Sequence, residues 1–67
     1  MNTFTARLKE LRKERGITQK QLAEQINTTD DSIFSWENGR SQPDIENIKK
    51  LCKFFSVSAD YLLGLED

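Results

Sequence analysis

Two carboxylates, an aromatic ring, a hydroxyl and a carboxamide stand at Asp30, Asp31, Phe34, Ser35 and Asn38, spacings that an α-helix gathers onto one side. At 100° per residue, with Asp30 at zero, they fall at about 0°, 100°, 40°, 140° and 80°, one arc centred near 70°. Ile33 and Trp36, at about 300° and 240°, fall opposite. Such a set can exchange hydrogen bonds with a flat polar surface and press a ring against its apolar parts. Nothing in it breaks a bond. The sequence holds no histidine and one cysteine, which removes Ser-His-Asp and Cys-His catalysis. It also leaves too few soft ligands for zinc or an iron–sulfur cluster. A hydrolase using Asp30 and Asp31 as paired carboxylates is a poor reading, because no pocket, metal set or partner base is evident. The chain therefore reads as a recognition module, not an enzyme, with no metal, cofactor or small-molecule substrate expected.

Those residues need a helix under them, and the pattern supplies five short ones and no strand. The first runs from about Thr5 to Arg15 and ends at Gly16, with Phe4, Leu8 and Leu11 at the i, i+4, i+7 spacing of a buried stripe. Thr18 and Gln21 have the spacing of a capping box, and Ile17 and Leu22 that of a hydrophobic staple, so the second helix starts there. Leu22, Ala23 and Ile26 form its inner face; Asn27, which tolerates positive φ, ends it. The third helix is capped by Thr29 and runs through Asn38 to Gly39. A fourth begins near Asp44, just after Pro43, with Ile45, Ile48, Leu51, Cys52 and Phe55 at helical spacing. Ser58 caps a fifth, which holds Tyr61, Leu62 and Leu63 and stops at Gly64.

At 67 residues the chain makes one small all-α domain, 1–67, since folding at this size hides roughly 60% of the unfolded surface. Ten basic and eleven acidic side chains give a net charge of −1. A basic balance is the usual mark of a nucleic-acid binder, but the local field depends on how charge is distributed. Five basic and two acidic groups lie in residues 1–16, and acids outnumber bases from there on. Residues 1–7 lack the apolar core of a secretory signal, and nothing approaches the ~18 apolar residues of a membrane span. A reducing cytoplasm, with Cys52 as a buried small apolar residue, is the expected setting.

Residues 18–37, TQKQLAEQINTTDDSIFSWE, are two helices joined by a short turn, with small Ala23 allowing a close, steep crossing. That is the helix-turn-helix unit, whose second helix projects and can enter a major groove. The chain resembles the Cro/C1-type (XRE) family of helix-turn-helix regulators. The resemblance is carried by Leu8-Lys9-Glu10-Leu11-Arg12 with Gly16, Thr18-Gln19-Lys20-Gln21-Leu22-Ala23, Ser32-Ile33 and Trp36-Glu37-Asn38-Gly39-Arg40. Pro43, Leu51 and Val57-Ser58-Ala59-Asp60-Tyr61-Leu62-Leu63-Gly64 continue it over nearly the whole chain.

The resemblance implies a five-helix, lambda-repressor-like DNA-binding domain that acts as a homodimeric repressor in the cytoplasm, associated with the nucleoid. Gln19, Asn38 and Arg40 match positions that hold DNA phosphates, with Lys20 and Ser41 as weaker candidates. Asp30, Asp31 and Ser35 match base-reading positions, and exposed Phe34 joins them. Arg12 and Glu37 match a pair that clamps the first helix to the end of the third. Two departures stand out: Asn27-Thr28 replaces the usual Gly-Val of the turn, and Asp30 and Asp31 replace residues that are often Gln, Arg or Ser. Carboxylates are repelled by phosphates, yet an Asp accepts a hydrogen bond from cytosine N4 and an aromatic ring packs on a thymine methyl. In the first turn both Asp residues also complement the helix dipole. The fourth and fifth helices, with one ring of Phe54-Phe55, Tyr61 and Leu65, are the expected dimer surface; Lys49, Lys50 and Lys53 read as a solvated face. The alternative reading, a protein-interaction module on the same fold, would use the acidic face that bears Phe34.

Overall fold

The computed structural model describes residues 3–66; Met1, Asn2 and Asp67 of the expected 1–67 domain lie outside the described residues. Among those described there are five helices and no strand: α1 Thr3–Glu14, α2 Gln19–Gln25, α3 Asp30–Glu37, α4 Ile45–Phe55 and α5 Ala59–Leu63. The bounds follow local chemistry. Thr18, Thr29, Asp44 and Ser58 are extended N-caps whose side chains accept from the amide three residues on, satisfying donors that a helix start leaves orphaned. α1 begins two residues earlier than the sequence pattern indicates, at Thr3.

α2 packs most extensively on α3, α1 packs on α3 and α5, and α4 on α5. Leu8, Leu22, Ile33, Leu51 and Leu62 are fully buried, one from each helix. Each such side chain stabilises the fold by about 1.5–3 kcal/mol relative to exposure. Phe4, Ala23, Ile26, Trp36 and Phe55 complete the core, and Leu11, Ile17, Cys52, Phe54 and Val57 pack around its edge.

Ile45 departs from the expected α4 stripe: it is 73% exposed. It occupies the first position of α4, about 70° from the centre of the arc defined by Ile48, Leu51, Cys52 and Phe55. At a helix end, no neighbouring element covers so oblique a position. Cys52 is half-buried, and desolvation raises its thiol pKa, favouring the unreactive neutral form.

Candidate nucleic-acid interface

The interface is built on how α2 ends and α3 begins. Thr18 Oγ1 accepts from the Gln21 amide at 3.0 Å, and Gln21 Oε1 accepts from the Thr18 amide at 2.8 Å. This capping box fixes the first turn of α2, where Gln19 and Lys20 sit. At the other end Asn27 takes the left-handed conformation, φ 59°, and the Thr28 amide donates back to Ala23 O at 2.9 Å. That 6→1 bond closes the helix tightly, so α3 starts only two residues later.

α3 is rooted by Ile33, fully buried, and Trp36, 5% exposed. On its other side Asp30, Asp31, Phe34 and Asn38 are exposed, with the Phe34 ring 42% accessible. Ser35, at the edge of the arc, is half-buried. Asp30 Oδ1 accepts from the Asp31 amide at 3.0 Å; its second oxygen has no partner among the described residues.

Below this face lies a buried carboxylate. Glu37 side-chain exposure is 0% and that of Arg12 is 13%. Their forked contact runs Nε to Oε2 at 2.7 Å and Nη2 to Oε1 at 3.1 Å. Arg12 Nη1 also donates to Ile17 O at 2.9 Å. The sequence reading missed a third member: Gln19 Nε2 donates to Glu37 Oε1 at 3.2 Å. One carboxylate thereby joins α1, the start of α2 and the end of α3. Nothing in the spacing signals Gln19–Glu37, because the bond depends on how α2 crosses α3. The bond occupies one of two amide hydrogens on Gln19, leaving the other free for an outside acceptor.

Asn38 caps α3, its Nδ2 donating to Phe34 O at 2.8 Å. Gly39 then takes φ 71°, and the Arg40 amide returns to Ser35 O at 2.9 Å. The turn lays the Arg40 guanidinium over Phe34, 5.4 Å from the ring centroid. Lys20, Arg40 and Ser41 are exposed. Since Arg12–Glu37 is the one ion pair among the described residues, the Lys20 and Arg40 charges are uncompensated. The structure thus gathers Gln19, Lys20, Asp30, Asp31, Phe34, Asn38, Arg40 and Ser41 along α2's start, α3 and the turn that follows. Carboxylates stand at the α3 start, while exposed cations lie beyond its far end and in the first turn of α2.

Two aromatics expected at a dimer contact have intrachain partners. Arg15 lies 5.0 Å from the Phe54 centroid and donates to Phe54 O at 3.0 Å. Arg7 covers Tyr61 at 4.1 Å and hydrogen-bonds Tyr61 O. Leu65, 73% exposed, remains open. No described helix is long and apolar enough to cross a membrane.

Comparison with known proteins agrees with this geometry. A family model described as helix-turn-helix matches residues 8–62. The HTH-type transcriptional activator BcrR of Enterococcus faecalis is 42% identical over 64 residues, 96% of this chain and 31% of that protein. The HTH-type transcriptional regulator ImmR of Bacillus subtilis (strain 168) is 39% identical over 61 residues, 91% of this chain and 48% of the relative. The chain therefore spans less than half the length of these two relatives. Among solved structures, the P22 c2 repressor in complex with synthetic operator 9T superimposes with a TM-score of 0.91 at 29% identity. The alignment covers 98% of this chain and 100% of that one.

Proposed function

The chain belongs to the Cro/C1-type (XRE) helix-turn-helix family, and from that premise we propose that it is a sequence-specific DNA-binding transcriptional repressor that seats α3 in the major groove of operator DNA. The observation that carries this is the division of α3, held from below by Ile33 and Trp36 and uncovered on the side that bears Asp30, Asp31 and Phe34. The same framework occurs in a repressor solved with its operator. In this role Asp30, Asp31, Phe34 and Ser35 select bases. Gln19, Asn38 and Arg40, aided by Lys20 and Ser41, hold phosphates on either side and so fix the register. Arg12 and Glu37 act beneath them as the clamp.

The chain works as one domain in the cytoplasm, on the nucleoid, as a homodimer joined through α4 and α5. Its two α3 helices meet half-sites about 34 Å apart. Exposed Ile45, Leu63 and Leu65 lie on or beside those helices and give such a contact its apolar surface.

The acidic outer face favours one other reading, a protein-interaction module. Selection of duplexes from a random pool separates the two. An enriched palindromic motif, with weaker salt-dependent binding to unselected DNA, is the expected result. No motif and no low-salt binding to random duplexes would leave the interaction module standing.

A further inference from the structure

We propose that Asp30 and Phe34 together read a pyrimidine step, Asp30 accepting from the N4 amine of a cytosine and Phe34 packing on a C5-methyl group of the adjacent pyrimidine. The inference rests on α3 being the helix that enters DNA and names what it recognises there.

Asp30 and Phe34 are four residues apart on α3, which makes their side chains neighbours about 5–6 Å apart at Cβ. Base pairs rise about 3.4 Å, so the two side chains address adjacent base pairs. Both are exposed on the same face. A carboxylate only accepts, and the free oxygen of Asp30 is the one not used by the Asp31 amide. Guanine and thymine present acceptors at the corresponding edge, and adenine sets its N7 acceptor beside its amine; cytosine alone offers a donor without a competing acceptor. Phe34 has no hydrogen bond to give from its side chain, and the apolar group on a major-groove edge is the C5-methyl. Thymine carries that methyl, and so does 5-methylcytosine. The Arg40 guanidinium over the Phe34 ring holds the aromatic in place and sets a cation at the edge of the step.

Asp30 acts mainly against wrong bases. Opposite guanine or thymine its charge meets oxygen or nitrogen lone pairs, and beside any strand it is repelled by phosphate. Removing the charge therefore raises affinity for random DNA while blurring choice at one position.

The test is parallel selection from one random duplex pool by the 67-residue chain, Asp30→Asn and Phe34→Ala, each first confirmed as folded by thermal melting. Wild type is expected to enrich a cytosine next to thymine. Asp30→Asn loses the cytosine preference alone and binds random duplexes more tightly than wild type. Phe34→Ala loses the thymine preference alone. Rebuilding the winning duplex with uracil for that thymine removes one methyl, and wild type should bind it about fourfold more weakly while Phe34→Ala is indifferent. At the same position 5-methylcytosine should outcompete cytosine, which separates the methyl from the rest of the base. The same motif from all three proteins, or undiminished wild-type binding to the uracil duplex, overturns the assignment and leaves DNA recognition intact. No motif from wild type overturns sequence-specific recognition itself, and this inference with it.

Discussion

Arg12→Met should be the most damaging single change on the polar side of this fold. It keeps an apolar stem of similar length but leaves the Glu37 carboxylate, fully shielded, without its counter-charge. Breaking a buried pair from one side costs about 3–5 kcal/mol. Small domains hold about 5–15 kcal/mol in total, so the variant stands near the edge of folding. At about 4–8 °C per kcal/mol for a domain of this size, its midpoint should fall by well over ten degrees. Replacing both partners behaves differently, because no charge is then stranded. Beyond the pair itself, Arg12→Met with Glu37→Met loses the bonds to Ile17 O and from Gln19, each about 0.5–1.5 kcal/mol for a typical hydrogen bond. The double variant should therefore be more stable than Arg12→Met by about 2 kcal/mol. Urea unfolding, followed by far-UV circular dichroism and by the fluorescence of buried Trp36, measures both quantities. The reasoning fails if Arg12→Met loses under ~1 kcal/mol, or if the two single losses simply add in the double variant.

Three further outcomes follow from local geometry. Gly39→Ala has room for its methyl, the nearest neighbour being Thr5 Cγ2 at 3.9 Å, but not the backbone preference for φ 71°; it should destabilise by about 1–2 kcal/mol, with Gly39→Asn recovering part, as melting curves would show. Thr18→Ala removes the side-chain half of the α2 capping box and should lose about 1 kcal/mol, whereas Thr18→Ser should lose almost none; equal losses would mean the cap is idle. Arg40→Ala should weaken binding to operator and random duplexes alike and lower the slope of log affinity against log salt by about 0.9. An unchanged slope removes Arg40 from the phosphate contacts.

The fold was legible because each helix carries its own signals. Thr18, Thr29, Asp44 and Ser58 announce starts through one hydroxyl or carboxylate each. Gly16, Asn27, Gly39 and Gly64 announce ends through a positive φ. These are chemical choices within four residues, and a sequence states them directly. The Ile33–Trp36 keel was equally readable, since a helical period relates side chains without reference to anything else. What escaped the pattern depends on the third dimension. Ile45 obeys the α4 period yet stays exposed, because periodicity cannot say where the neighbouring helices stop. Gln19–Glu37 joins residues eighteen apart whose types would suit a solvated surface equally well. Asn38 reads as an outward-facing carboxamide, and its Nδ2 in fact donates to the carbonyl of Phe34, a choice made by the cap that Gly39 permits.

The acidic start of α3 is where folding and recognition make the same demand. Asp30 and Asp31 lie in the first turn, where negative charge meets the positive end of the helix dipole and contributes about 0.3–1 kcal/mol apiece. A reader with Arg at these positions would attract DNA more strongly but would set cations against that dipole. It would also bind any phosphate it met. With carboxylates there, attraction must come from elsewhere, and Lys20 and Arg40, exposed and without carboxylate partners among the described residues, lie on the neighbouring helix and the following turn. Attraction by those cations and repulsion by the carboxylates divide the work: the cations bring the helix to any duplex, and the carboxylates let it settle only where a base offers a proton. Affinity for random DNA should accordingly be low for a domain of this family, and the ratio of operator to random binding should fall when either Asp is neutralised, even where operator binding itself tightens.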